Sequence, residues 1–325
     1  MRRNLVILLF LFLLNDVFAY ENSVYAEAEK FAKANDYTQA INLIENRVPK
    51  EARDYKFYYW RGSFLFNKDT EKNRRKALND LLIAYPMFEN DLYINSILGL
   101  IYSLINDADN SVKYLSKAFY LSKEQKSKDV IIPILIHQCH NIHQYEKVIN
   151  FESEYPNESL FLFYGMAHDR LGNKEKSKYY LEKAITSSSF STHDKMIYTD
   201  FLFLSKDFSK AEEVIQEISR EKDAYEVSLV YQSYLHMTRD EMRKAKKCLD
   251  TVLKKYNGNE TAWKFSTYYW YLKNNRVKAV HAYGMYKMIS QDLDRLHVTS
   301  DDTDIDNFLS ADELFQTLQS VRTGK

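Results

Sequence analysis

Four acidic residues late in the sequence are spaced in a way that suits a hard cation. Asp302, Asp304 and Asp306 alternate along a short segment, and Glu313 follows seven residues later. Oxygen-bearing side chains that alternate on a tight loop can converge on one point, and calcium takes six to eight oxygen ligands. The spacing therefore predicts a calcium site, for which we expect a structural role.

This segment resembles the calcium loop of the EF-hand family. The resemblance implies six ligand positions, which are Asp302, Asp304, Asp306, the carbonyl of Phe308, Ser310 and Glu313. Asn307 stands where the family has Gly, and Ile305 stands where Gly or a polar residue is common. An alternative needs no metal, because Ser310 and Glu313 are also spaced as a capping box before the helical pattern of Leu314, Phe315 and Leu318.

Histidine and cysteine side chains form a second candidate metal group. His137, Cys139, His140 and His143 lie within seven residues, and His137 and His140 are spaced to share one face of a helix. Zinc would suit these ligand types, but the segment offers no acidic fourth ligand. The alternative is a pair of hydrogen-bonded histidines, with Cys139 directed into the core.

Motifs of common enzymes are absent from the sequence, which has no Gly-rich phosphate loop, nucleophile elbow, His-Glu-x-x-His or paired-Cys motif. Seven glycines in 325 residues leave little irregular backbone for an active site. We therefore expect a protein that is not an enzyme. Its formal net charge is zero, which argues against a nucleic-acid partner.

Small residues recur before one helical pattern along most of the chain. Four of the seven intervals between them are 34 residues, and the residues are Ala40, Ala77, Ser111, Val148, Ser177, Ala211, Ala245 and Ala279. A repeat of this length is typical of stacked helical hairpins, each of which leaves an apolar face for its neighbour. Asn35, Asn106, Gly172 and Asn274 fall at the predicted turns, where Asn and Gly best tolerate a left-handed backbone.

The best copies read Leu98-Gly99-x-x-Tyr102 with Ser111, and Tyr164-Gly165-x-x-His168 with Ser177. This pattern resembles the tetratricopeptide repeat. The resemblance implies an all-α fold, a right-handed α-solenoid of stacked antiparallel helix hairpins, with eight copies across about residues 21–290. The second copy has about three extra residues around 68–73, and the fourth departs from the pattern at Pro133 and Val148.

In that family the first helix of each hairpin lines a concave groove, and the resemblance assigns the corresponding positions in copies five to eight. The predicted groove residues are Met166, Asp169, Arg170, Met196, Asp200, Phe203, Val230, Tyr234, Met237, Lys264, Tyr268 and Tyr271. This aromatic and methionine-rich stripe suits a protein or peptide partner, or a polysaccharide that stacks on tyrosine. The alternative is that these side chains pack against one another.

Arg2 and Arg3 precede ten apolar residues, Leu5–Leu14, and small residues lead to Ala19. This is the pattern of a signal peptide cleaved after Ala19, and the apolar run is short for a membrane span. We therefore expect residues 1–19 to be a signal peptide, 20–290 a repeat solenoid and 291–325 an acidic C-terminal segment. No integral membrane segment is expected after cleavage. Cys139 and Cys248 are expected to be buried and unpaired.

Together these patterns predict an exported, periplasmic or extracellular scaffold that is not an enzyme. It would hold its partner in the groove and act in cell-envelope or extracellular assembly. The alternative is a binding module that depends on calcium at the C-terminal loop.

Overall fold

The computed structural model describes residues 24–68, 70–290 and 302–324. Regular structure in these ranges is helical, with no strand, which confirms the all-α prediction. Two compact units divide the chain, residues 1–156 and 157–325. Within the described ranges no helix is both long and apolar enough to cross a membrane. The predicted signal peptide lies outside the described residues.

The first unit contains four consecutive helix pairs. Its helices are α1 (Val24–Lys33), α2 (Tyr37–Arg47), α3 (Tyr55–Asn67), α4 (Glu71–Ala84), α5 (Leu92–Leu104), α6 (Ala108–Leu121), α7 (Gln125–Asn141) and α8 (Tyr145–Glu154). Short 3-10 helices, Lys50–Ala52 and Tyr85–Met87, follow α2 and α4. Pro133 lies inside α7, as predicted from the sequence.

The second unit contains four more helix pairs and then two further helices. The paired helices are α9 (Phe161–Arg170), α10 (Lys174–Thr186), α11 (Thr192–Leu204), α12 (Phe208–Arg220), α13 (Tyr225–Thr238), α14 (Met242–Lys255), α15 (Glu260–Leu272) and α16 (Arg276–Ser290). A 3-10 helix, Glu158–Leu160, precedes α9. The last two helices are α17 (Asp302–Ala311) and α18 (Glu313–Thr323), which we call the C-terminal pair.

In seven of the eight hairpins the turn uses one residue in the left-handed conformation; in the second hairpin no described residue of the turn does so. Asn106 has φ of 58°, and the N–H of Asp107 donates to the carbonyl of Tyr102 at 2.9 Å. This arrangement satisfies carbonyls at the end of the first helix. Asp107 then caps the second helix, since its carboxylate accepts from the N–H of Asn110. The predicted turn residues Asn35, Gly172 and Asn274 have φ of 59°, 80° and 54°.

All eight of the predicted small residues are buried, and each is at most 3% exposed. Close helix crossing explains their size. A Cβ added to Gly99 would lie 2.5 Å from Leu115 Cγ, and one added to Gly165 would lie 2.8 Å from Leu181 Cγ. The predicted hairpin spacing is therefore confirmed, and the same contact recurs in both units.

Candidate functional site

The predicted groove residues lie on the first helices of the hairpins in the second unit, and we call these twelve residues the groove face. Six of its apolar members are at most 1% exposed, namely Met166, Phe203, Val230, Tyr234, Met237 and Tyr268. Arg170 at the end of α9 is exposed, whereas Asp200 and Lys264 are partly exposed. Part of this burial comes from the C-terminal pair, whose helix α18 packs on α11 and α13.

Aromatic rings form a continuous stack along the groove face. Phe203 and Tyr234 stack with their centroids 4.2 Å apart, and Phe265 follows 5.4 Å from Tyr234. Tyr268 lies 5.5 Å from Phe265. Phe315 of α18 then packs on Tyr268 at 5.2 Å. Such ring pairs contribute beyond their buried area, so Phe315 extends the stack of the groove face.

Helix α18 presents an apolar side to the groove face. Leu314, Phe315 and Leu318 are 8%, 2% and 0% exposed. Their spacing places them on one side of an α-helix. The helical pattern predicted for these residues is therefore confirmed, but its packing partner is the surface that was predicted to hold another molecule.

Polar contacts fix the start of α18 on the groove face. Asp312 is the N-cap, and its Oδ1 accepts from the N–H of Phe315 at 2.9 Å and from Tyr268 Oη at 2.5 Å. Lys264 Nζ lies 2.7 Å from Asp312 Oδ2. Tyr234 Oη donates to the carbonyl of Leu314 at 2.7 Å. A single carboxylate therefore caps the helix and also binds a cation and a phenol of the groove face.

Three further hydrogen bonds fix the end of α18. Arg322 Nη1 donates to the carbonyl of Met237 at 2.7 Å, and its Nη2 donates to Asp240 Oδ1 at 2.6 Å. Lys206 Nζ donates to Ser320 Oγ at 2.8 Å. The helix is thus held with one polarity, acidic at its start and basic at its end, in agreement with its macrodipole.

A buried charge cluster lies beneath the start of α18. The pKa of Asp200 is raised to about 7, first by burial, while Lys264 lowers it and Asp312 raises it. Asp200 Oδ1 is buried and has no hydrogen-bond partner, and Tyr231 Oη lies 3.5 Å from Oδ2. Burial opposes the charged form of Lys264, but Asp312 outweighs this and the pKa of Lys264 is raised. Lys264 therefore interacts electrostatically with the carboxylates of both Asp200 and Asp312.

The expected calcium loop is helical in the structure, which corrects the sequence-based geometry. Asp302–Ala311 is helix α17, in which successive residues point in directions 100° apart, so the side chains of Asp304 and Asp306 point in different directions. Asp304 pairs with Lys287 at 3.1 Å, and Arg276 donates to both oxygens of Asp306 at 2.7 Å. Calcium binding itself stays a prediction.

The remaining expected ligands of this segment also have other contacts. Arg170 Nη2 lies 2.8 Å from Glu313 Oε2, and Ser310 Oγ donates to the carbonyl of Asn307 at 2.9 Å. The carbonyl of Phe308 accepts from the N–H of Asp312 at 3.0 Å. The alternative capping box of Ser310 and Glu313 is wrong, because Asp312 is the N-cap of α18.

The histidine group lies at the end of α7 and in the turn after it. Cys139 is fully buried, and burial raises its pKa to about 11, which disfavours the thiolate that binds metals. His143 Nδ1 lies 2.6 Å from Tyr145 Oη, and the ring of His140 packs against Tyr145. Among the described residues, no three His, Cys, Asp or Glu side chains are grouped to hold a metal.

Asp312 and Arg322 hold α18 in place but were absent from the predicted site. Their signal in the sequence was an aspartate directly before an apolar helix and an arginine ten residues later. The sequence pattern alone predicts such a helix, but it does not predict where the helix packs. The structure therefore adds to the groove face a segment that was predicted as a separate acidic tail.

Comparisons with known proteins agree with the repeat pattern. The model of the tetratricopeptide repeat family matches residues 93–125 and 159–189. A search of the curated proteins gave no match. Among solved structures, the chain resembles one in the APC/C hetero-tetramer Cut9-Hcn1 at 11% identity and a TM-score of 0.44, covering 91% of this chain and 55% of that one.

A second similar structure is the TPR domain of P58(IPK), at 11% identity and a TM-score of 0.31, covering 93% of this chain and 98% of that one. The family match covers one repeat in each compact unit. The remaining hairpins carry the same small buried residues, and all of them except the second have a left-handed turn among the described residues. The array of helix hairpins therefore resembles the tetratricopeptide repeat, which the family model matches over these two segments.

Proposed function

We propose that the protein is an exported scaffold, not an enzyme, that holds a protein or peptide partner on the groove face of the second unit. Tetratricopeptide repeats serve as protein-interaction scaffolds, which is the general role that this chain shares. The further details, which are export, the identity of the surface and the kind of partner, rest on the sequence and on the contacts of the groove face.

The observation that carries the proposal is the docking of α18. A helix of eleven residues is held on the groove face by apolar burial in its middle and by polar contacts at both ends. A surface that holds one helix in this way has the shape and the donors to hold another. A polysaccharide fits less well, because the side chains of α18 that are buried at the face are apolar, namely Leu314, Phe315 and Leu318.

A photo-crosslinking experiment tests the proposed surface. A photoreactive residue would replace Arg170 or Lys206, which are exposed beside α18, or Lys247 on the outer helix α14 as the matched control. We expect one protein to crosslink at the first two positions and not at Lys247. Equal labelling at all three positions, or labelling of carbohydrate, would contradict the proposal.

Export is tested separately. Expression of the whole chain with its own N-terminus should yield a secreted or periplasmic protein whose first residue is Tyr20, as read by N-terminal sequencing. A cytoplasmic protein that retains residues 1–19 would remove the exported part of the proposal and leave the binding part intact.

A further inference from the structure

Helix α18 makes its contacts with the groove face through side chains and two backbone carbonyls, and these contacts follow a simple order. Counted from the N-cap Asp312, apolar residues stand at positions +2, +3 and +6, which are Leu314, Phe315 and Leu318, and Arg322 stands at +10. Every one of these five residues contacts the groove face or is buried at it.

We propose that α18 is an intramolecular ligand of the groove face, and that the partner is an amphipathic helix of the same chemistry that displaces it. The partner helix would carry a carboxylate N-cap, apolar residues two, three and six positions later, and a cationic residue one helix length on. This inference rests on the proposed function and specifies the partner that the function requires.

The charges of the groove face favour this occupant and set its direction. Lys264 and Arg170 lie beside the acidic start of α18, at Asp312 and Glu313. Asp240 and the carbonyl of Met237 lie beside its basic end. A helix bound in the reverse direction would place like charges together at both ends, so the face distinguishes the two polarities.

The docked α18 also leaves one group of the groove face unsatisfied. Asp200 Oδ1 is buried without a hydrogen-bond partner, and the carboxylate of Asp312 adds a second negative charge beside the shared Lys264. A buried acceptor without a donor lowers the stability of the docked state. A partner helix that brings a hydrogen-bond donor toward Asp200 would therefore bind more tightly than α18 and displace it.

The hairpins beneath α18 are complete without it. Each of the four pairs in the second unit makes its own turn hydrogen bonds, such as that from the N–H of Asn173 to the carbonyl of His168 at 2.8 Å. The second helices α12 and α14 bury Ala211 and Ala245 against their own first helices. Release of α18 therefore exposes the groove face but leaves the repeat packing in place.

Competition with a peptide tests the inference. A labelled synthetic peptide spanning residues 309–324 would be titrated with the whole chain and with the whole-chain variant Phe315→Ala/Leu318→Ala, and binding would be read by fluorescence polarisation. We expect the variant to bind the peptide at least about ten-fold more tightly, because its own α18 no longer competes. A peptide carrying the same two substitutions is the matched control and should not bind.

A second variant shows whether the higher affinity for the peptide could come from unfolding of the protein instead of release of α18. Glu313→Arg/Arg322→Glu reverses the charges at both ends of α18 and removes no apolar contact. It should also raise the affinity for the native peptide while the helical circular dichroism stays unchanged. Equal affinity of the wild-type chain and both variants, or no binding to any of them, would overturn the proposal.

Light scattering of the wild-type chain tests whether the α18 on the groove face comes from the same chain or from a second copy. A monomer supports docking of α18 within one chain. A dimer that dissociates in both variants would overturn the proposal, because a second copy would then supply α18. If the peptide fails to bind but the groove face still crosslinks to a protein, only this inference fails; if both fail, the proposed function fails with it.

Discussion

The two compact units contain the same kind of hairpin, but different side chains form the surface of their first helices. In the first unit, polar side chains bridge successive first helices: Asn67 Nδ2 donates to Tyr93 Oη at 3.3 Å, and Gln138 Nε2 donates to Ser103 Oγ at 3.0 Å. In the second unit an aromatic stack occupies the corresponding surface, and α18 covers it. We call the bridged surface of the first unit the polar face.

This difference shows that the repeat requires the helix crossing within each hairpin but does not determine the side chains on the first-helix surface. Gly99 faces Leu115 in one unit as Gly165 faces Leu181 in the other, so the hairpin crossing is common to both. The first-helix surface is free to vary once the crossing is satisfied. The first unit uses that freedom to hydrogen-bond its own helices, whereas the second unit holds a further helix, which is the property expected of a binding surface.

The largest effect confined to one of the two units should come from replacing Phe315. Phe315→Ala deletes a buried ring from α18, for which a loss of about 3–5 kcal/mol is typical. Hydrogen exchange should then lose protection in α17 and α18, with the hairpins of both units unchanged. Phe57→Ala, at an equally buried phenylalanine of α3, should loosen the first unit instead. If both variants affected the same amides, the two units would not be separately stabilised.

Asp200 should make the second unit sensitive to pH. Its pKa is about 7 in the folded protein, against an ordinary value of 3.8, because burial raises it. The folded state therefore holds the proton more tightly, and this stabilisation is present below about pH 4 and is lost as the pH rises through 7. The groups that face Asp200 are Lys264, Asp312, Tyr231 and Tyr234.

Asp200→Asn removes this dependence. Each pKa unit corresponds to ~1.4 kcal/mol, so the variant should be more stable than the wild type at pH 8, by at most about 4 kcal/mol. Thermal unfolding at pH 5 and pH 8 measures it: the wild type should lose more stability between the two than the variant does. A parallel decrease in both proteins would show that Asp200 is not the responsible group.

Tyr268 and Tyr93 provide a matched pair of tyrosines, one on each face. Tyr268→Phe removes a donor to the carboxylate of Asp312, and hydrogen bonds to charged groups contribute ~1.5–3 kcal/mol. Tyr93→Phe removes the acceptor of Asn67, a neutral bond of about 0.5–1.5 kcal/mol. Only Tyr268→Phe should lower the hydrogen-exchange protection of α18, because Tyr93 does not contact that helix.

Because the two helices of a hairpin cross in the same way in both units, matching glycine substitutions should destabilise the two units equally. Gly99→Ala and Gly165→Ala each place a Cβ within 3.0 Å of the Leu side chain opposite, and overpacking costs about 1–3 kcal/mol. Alanine recovers up to ~1 kcal/mol through its higher helix propensity, so a net loss of about 1–2 kcal/mol is expected in each. Urea unfolding measures it, and a stabilised variant would contradict the close crossing.

The hairpins could be predicted from sequence because their determinants are local. Small residues and the turn residues Asn35, Asn106 and Gly172 recur at fixed spacing, and the structure confirms both. His143, Lys206 and Asp240 have the same left-handed turn, with φ of 58°; His and Asp are enriched in this conformation, whereas the residue type of Lys206 does not indicate it. Backbone hydrogen bonds of the turn impose this conformation on them.

The occupant of the groove face could not be predicted, because its contacts join distant parts of the sequence. Glu313 and Asp306 were interpreted as calcium ligands from their spacing alone. Arg170 and Arg276, which pair with them, lie 143 and 30 residues away. A pattern within twelve residues carries no information on such partners, and an acidic helix and an acidic loop then look alike.

The smallest expected effect comes from the ion pair between Arg170 and Glu313. Both side chains are partly exposed, 30% and 46%, and exposed pairs contribute only ~0.2–1 kcal/mol. Arg170→Glu should therefore weaken docking of α18 slightly, and Arg170→Glu/Glu313→Arg should restore it. Exchange protection of α18 at low salt is the measurement, because salt screens such a pair.

A second exposed pair of the same unit is the control. Arg239 and Glu212 have similar exposure, 43% and 42%, and Glu212 lies on α12 and Arg239 directly after α13, so exchanging their charges should leave protection of α18 unchanged. If exchanging charges restores the protection of α18 only for Arg170 and Glu313, the groove face recognises the acidic start of α18. Equal effects of the two exchanges would mean that general charge, and not the docked helix, determines the protection.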